Sequence, residues 1–161
     1  YLPRLKTLTF HLKLGSMQSK TDRIVHLTRN LAEELQLTRS EEQTALRAAL
    51  LCKADLVTHM VTEMTSLQGY MGHYYAVQSG ESPEVGLAIE EHYLPRFSGD
   101  RSPQTKAGLV IGMADRLDSL AGLFAVENAP TGTRDPFGLR RTAIGLVQNL
   151  INAQLEVDIS C

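Results

Sequence analysis

The sequence predicts an all-α domain of six to eight helices, on three observations. Apolar residues recur at three- and four-residue spacing in one segment after another. Capping residues such as Ser82 and Asp135, each followed by proline, mark helix starts. No stretch alternates apolar and polar residues as a half-buried strand would. The 161 residues suit a single core, and 43% hydrophobic with 21% charged residues is the balance of an ordinary globular domain.

In chain order, Leu2, Leu5, Leu8, Leu12 and Leu14 suggest a short lead-in helix ending at Gly15, although TLTF could equally be extended. From Ser19 onward Ile24, Leu27, Leu31 and Leu35 mark an amphipathic helix. Ser40 with Glu42 and Gln43 reads as a capping box for a helix through Ala45, Leu46, Ala49 and Leu50. The segment from Val57 to Glu81 keeps helical character but is interrupted by Gly69 and Gly72. Ser82-Pro83 opens a helix over Glu84–Tyr93, and LPRFSGDRSP is the plainest loop. A long helix follows from Gln104 to about Val126, then the loop ENAPTGTR, then a last helix with Asp135 as N-cap and Pro136 at its first position. The segment 1–15 thus reads as a lead-in from a preceding region, and 16–157 as one helical domain, cut from a longer protein.

Net charge of −2 leaves nucleic-acid contact to a local basic patch. Cys52 and Cys161 form no disulfide framework and no CxxC pair, which fits a reducing, cytoplasmic setting. Cys52, in AALLC, is expected to be a buried small hydrophobe, as are Met60, Met64, Met71 and Met113 to be core fillers. No window reaches the ~20 apolar residues of a membrane span.

Three segments could carry chemistry: KTDRIVHL at 20–27, KADL at 53–56 and MADRLDSL at 113–120. Asp55 and Asp115 are expected in similar helical frames, with Asp118 on the face of Asp115. Carboxylates brought together from distant helices could bind a divalent cation. The order of these segments resembles the HD superfamily of helical phosphohydrolases, whose metal site takes a His, a His-Asp doublet and a further Asp. That resemblance puts Lys20 at the first His, Ala54-Asp55 at the doublet and Asp115 at the final Asp. Two imidazoles are then missing and Lys20 sets a cation where a metal would sit, so catalysis and a bound metal are not expected. His26 and His59 are the available substitutes, and the competing reading is a metal-dependent phosphohydrolase of this superfamily acting on a nucleotide or phosphodiester.

A narrower resemblance covers about Phe10 to Leu150. KADLVT, the QGYMG-HYYA block, GMADRLDSLAGLFA and PTGTRDPFGLRR are similar to the β-subunit family of bacterial tetrameric glycyl-tRNA synthetases, in its HD-like domain. The resemblance implies an α2β2 enzyme whose α subunit aminoacylates with ATP and magnesium. It implies a β subunit that handles tRNA(Gly), with tRNA rather than DNA as nucleic acid and no membrane partner. This domain would have no cofactor of its own.

Arg134, Arg140 and Arg141 are the leading RNA-contact candidates, because a glycine-containing loop runs there into a helix N-terminus. An ordinary solvated helix face is the competing reading, and Asp135 would already occupy the free amides. Lys20, Arg23, Lys53 and Arg116 either neutralise Asp55, Asp115 and Asp118 or, as further RNA-contact candidates, line a small anion pocket that could meet the acceptor end of a tRNA. His73, Tyr74 and Tyr75, and likewise His92, Tyr93 and Arg96, could stack on a base or simply pack.

Overall fold

The computed structural model describes residues 1–126 and 130–155. Cys161, the start of the second loop at 127–129 and the expected domain end at 157 lie outside these. Among the described residues seven α-helices account for the architecture: α1 (Met17–Glu34), α2 (Arg39–Leu51), α3 (His59–Glu63), α4 (Tyr70–Gln78), α5 (Pro83–Glu91), α6 (Lys106–Ala125) and α7 (Leu139–Asn152). The all-α expectation holds. The long helix α6 lies at the centre and packs against α1, α2, α5 and α7. Its apolar face of Val110, Ile111, Met113 and Ala114 is fully buried.

Small residues set how closely the helices approach. Ala45, Ala48, Ala49 and Cys52 give α2 a flat inner face, buried in the same core as Val85, Ala88 and Ile89 of α5. Burial pushes the Cys52 thiol up to about 12, so it behaves as an inert core residue. Gly72 does not break α4 as its type suggested. It lies inside the helix, where a Cβ would come within 2.7 Å of Ile89 Cγ2. Gly69 does break the chain, with φ of 82° at the start of α4.

Several boundaries differ from the sequence expectation. The lead-in is a 3-10 turn, Leu2–Lys6, followed by a two-stranded antiparallel ribbon, β1 (Thr9–His11) with β2 (Gly15–Ser16). Of its five leucines only Leu5 is buried and Leu12 is 93% exposed, because their spacing never forms one stripe. The capping box is Thr38 with Glu41, two residues before Ser40: Thr38 N–H donates to Glu41 Oε2 at 2.8 Å and its hydroxyl accepts from Glu41 N–H at 3.3 Å. Past the turn through Gln36 (φ 51°), Thr38 is extended and stands as the N-cap. Asp55 sits in a 3-10 turn, Ala54–Val57, rather than in a helical frame like that of Asp115. Helix α7 starts at Leu139 after a left-handed Gly138, so Asp135 caps it from outside rather than as N-cap. Met60 and Met64, expected inside, are 42% and 52% exposed.

Candidate functional site

Helix α1 must bury one stripe, and Lys20 falls on it beside Ile24 and Leu31. A buried ammonium is tolerated only with counter-charges, and α6 supplies them. Lys20 Nζ lies 2.9 Å from Asp118 Oδ2 and donates to Ser119 Oγ at 2.7 Å. It also stands 2.9 Å from Asp115 Oδ1, an ion pair off the hydrogen-bonding direction. Arg23 adds Nε and Nη2 to Asp118 from the half-buried edge of α1. Lys53, just past α2, donates to Asp115 Oδ2 at 2.7 Å. Lys20 and Lys53 are each 4% exposed.

His92 completes this group. Its Nδ1 meets the Ile89 carbonyl, so the Nδ1–H tautomer is the one that bonds, and Nε2 accepts from Lys53 Nζ at 3.0 Å. Burial, then the facing Lys53 ammonium, holds the imidazole well below its usual range. Burial opposes the charge on Asp115, yet Lys53 and Lys20 outweigh it and keep the carboxyl well below the ordinary carboxylate range. Burial likewise opposes the charge on Lys53, and Asp115 leaves that ammonium firmly protonated.

The buried neutral imidazole has a consequence for stability. The unfolded chain takes up a proton near pH 6.5 that folded His92 refuses. Its contribution is therefore complete above that value and is lost as pH falls below it. Between pH 7.5 and 5 the loss should reach about 2 kcal/mol. Urea unfolding at stepped pH should show this decline, flattened in His92→Gln; an identical slope in that variant would refute it.

Arg116, an RNA-contact candidate by sequence, is turned inward and only 8% exposed. Nη1 donates to the carbonyls of His92 and Gly112, and Nη2 to those of Tyr93, Leu94 and Pro95. Gly112 and Gly145 make room: a Cβ on either would come within 3.1 Å of the guanidinium. Asn149 of α7 adds a bond to the Leu94 carbonyl at 3.0 Å. Glu91, which sequence patterning does not single out, is 1% exposed. It accepts from the backbone N–H groups of Gln104 and Thr105 and from the Thr105 hydroxyl, fixing the start of α6.

Asp55 and Asp115 border different cavities, although the Lys53 ammonium lies within electrostatic reach of both. Asp55 is 2% exposed and accepts from the Gly69 N–H at 2.7 Å; burial raises its carboxyl above the usual range, against that bond. With Ala54 it lines a cavity of about 180 Å³ walled by Tyr1 and Tyr75, whose rings stack at 6.0 Å. Asp115 instead borders a separate cavity of about 440 Å³, together with Arg96, Arg116 and Arg141. His26 and His59 are exposed and border neither. Among the described residues, no three His, Cys, Asp or Glu side chains form a set that could hold a metal ion.

Arg134, Arg140 and Arg141 are all exposed. Thr131 and Arg134 pair through their backbones, and Arg140 reaches back to the Gly132 carbonyl at 2.6 Å, closing the loop. Asp135 accepts from the Leu139 and Arg140 N–H groups at 2.7 and 3.0 Å, so the first amides of α7 are occupied. Any anion there would meet guanidinium groups, not the helix end. His73 is bonded to Glu90 at 2.9 Å and Tyr74 is 57% exposed.

Comparison with known proteins gives these features a setting. The family model described as glycyl-tRNA synthetase beta subunit matches residues 1–161. The chain is 52% identical to the glycine–tRNA ligase beta subunit of Trichodesmium erythraeum over 159 residues, covering 99% of this chain and 22% of that protein. It is 48% identical to that of Clostridioides difficile, covering 99% and 23%. It is 47% identical to that of Marinobacter nauticus, covering 96% and 22%. The chain thus spans between a fifth and a quarter of the length of these relatives. No described helix is long and apolar enough to cross a membrane.

Proposed function

The chain belongs to the glycyl-tRNA synthetase beta subunit family, and on that premise we propose that it is a non-catalytic, RNA-facing domain which helps hold tRNA(Gly) while an alpha subunit charges it. One observation supports this most: three arginines, Arg134, Arg140 and Arg141, stand exposed together on the loop and first turn of α7. Guanidinium groups on a closed loop suit phosphate oxygens, which fix the register of a nucleic acid without reading its sequence. ATP and magnesium belong to the alpha subunit's reaction, in an α2β2 enzyme of the cytoplasm.

The wider resemblance to metal-dependent helical phosphohydrolases then marks a site put to other use. Lys20 and Lys53 place two ammonium groups on Asp115, and the Ala54 side chain offers no donor. A divalent cation would have to displace both ammoniums to reach one carboxylate, so the residues present do not fit it. Asp55, tied to Gly69, serves the turn instead.

The reading is tested in the full-length beta subunit paired with its alpha subunit. The Arg134→Ala/Arg140→Ala/Arg141→Ala variant should bind tRNA(Gly) at least about tenfold more weakly at low salt. Its log–log salt slope should fall by about one unit for each phosphate that an arginine no longer neutralises. Binding and slope equal to the parent's would remove the domain from the tRNA interface and leave it as a spacer.

A further inference from the structure

Helix α7 divides into two parts by composition. Its first turn carries Arg140 and Arg141, both exposed, and from Thr142 to Leu155 the chain holds no charged residue. Inward, where α7 packs on α6, Leu139, Leu146 and Asn149 are buried. Outward it presents Ile144, Val147 and Ile151, each more than half exposed. Residues three and seven apart share one face of a helix, so the three form a single apolar stripe along two turns.

A helix with one buried face ordinarily covers the other with charge. Helix α1 does so, exposing Asp22, Arg29 and Glu33 opposite the buried Ile24 and Leu31. In α7 β-branched apolar side chains stand where that charge would be, the composition of a helix buried on both sides. Contiguous exposed apolar surface of this kind marks a contact with another protein surface. Depletion of charge marks the core of such a contact. Phosphate would find no partner along the stripe, which sets it apart from the arginines of the first turn.

We propose that the stripe of Ile144, Val147 and Ile151 is an internal joint of the beta subunit, covered by an apolar-faced helix from another part of the same chain. The present residues span 22% of the Trichodesmium erythraeum beta subunit and 23% of the Clostridioides difficile one, so most of such a subunit lies outside them. A tethered segment meets the stripe at an effective concentration on the order of millimolar, ahead of any separate chain. The occupant is uncharged where it touches, because a charge set against three apolar side chains would lose its water and gain no partner. Its own ridge of side chains fits beside residues spaced three and four apart. Such a joint does not require that the domain touch tRNA.

The experiment uses the full-length beta subunit without its alpha subunit. Val147→Cys and Ile151→Cys, labelled with a maleimide and read by peptide mass spectrometry, should each react at least about tenfold more slowly than in the urea-unfolded subunit, because the joint must open first. A smaller difference would overturn the proposal. Protection that appears only when the alpha subunit is added, or only as the beta-subunit concentration rises, would give the stripe to that chain or to a second copy, and would overturn it as well. Val147→Asp, near-neutral on a solvated helix face, should lower the melting temperature of the beta subunit by at least about 2 °C; an unchanged value would refute the joint. Neither readout involves tRNA. Weakened tRNA binding in Arg134→Ala/Arg140→Ala/Arg141→Ala together with an unprotected Val147→Cys would leave the tRNA reading standing and the joint refuted.

Discussion

Asp115→Ala should destabilise the domain by about 3–5 kcal/mol, the cost of leaving buried charges without their partner. Both lysines face this one carboxylate, Lys20 at 2.9 Å and Lys53 at 2.7 Å. Lys20 keeps Asp118, whereas Lys53 would keep the neutral His92, the face of the Tyr93 ring at 4.3 Å and the more distant field of Asp55, so most of the cost falls on Lys53. Asp115→Ala combined with Lys53→Met should therefore recover more than half of the loss, since the orphaned ammonium goes with it. Denaturant titration of the single and double variants measures this directly. A single-variant loss under about 1 kcal/mol would mean that solvent screens the pair as it does at a surface.

Arg116→Ala should cost a similar amount, about 3–5 kcal/mol, for a different reason. One guanidinium answers five backbone carbonyls from Gly112 and His92 to Pro95. Truncation takes this donor from all five, of which the Leu94 carbonyl keeps its bond from Asn149, and opens a void between Gly112 and Gly145. Arg116→Lys should restore less than half, because a single ammonium cannot span both rows of carbonyls. Thermal and denaturant unfolding of the two variants provide the test, and near-equal stability of lysine and arginine there would contradict the geometry.

These two centres show what the sequence could and could not disclose. Helix starts that depend on neighbours a few positions away were legible: Ser82-Pro83 opens α5 as its residues suggest, with the Ser82 hydroxyl accepting from Val85. So was the inner face of α2, where alanines recur at helical spacing. The Thr38–Glu41 box lies two residues from its expected place because Ser40 and Gln43 satisfy the same local pattern. Thr38 is the extended residue past the turn through Gln36, and no pattern at 40–43 records it.

The candidate site was legible in composition but not in pairing. Lys20, Arg23, Lys53, Arg116, Asp55, Asp115 and Asp118 are all conspicuous as charged residues in apolar settings. Which carboxylate each cation would meet depends on how α1 and the end of α2 lean on α6, a tertiary outcome. Asp55 draws attention with the others, yet it answers to a backbone amide fourteen residues on. His92 at 0% exposed shows no local sign of its role, since an imidazole next to a tyrosine reads equally well as packing or as a stacking platform.

Glu91 carries a consequence for how this domain tolerates change. The start of α6 is fixed by a side chain from the end of α5, across an irregular stretch of chain, and Gly108 must stay small because a Cβ there would come within 2.6 Å of Glu91 Cβ. Positions 91, 105 and 108 are therefore a single unit of variation, in which an exchange at one demands an answer at the others. The exposed tip between them, Phe97 to Gly99, answers to a different constraint, its own turn, which Asp100 N–H closes on the Phe97 carbonyl and a left-handed Gly99 completes. Residues could be inserted at that tip without shifting α6, because the helix takes its register from Glu91 and not from the length of chain that leads to it.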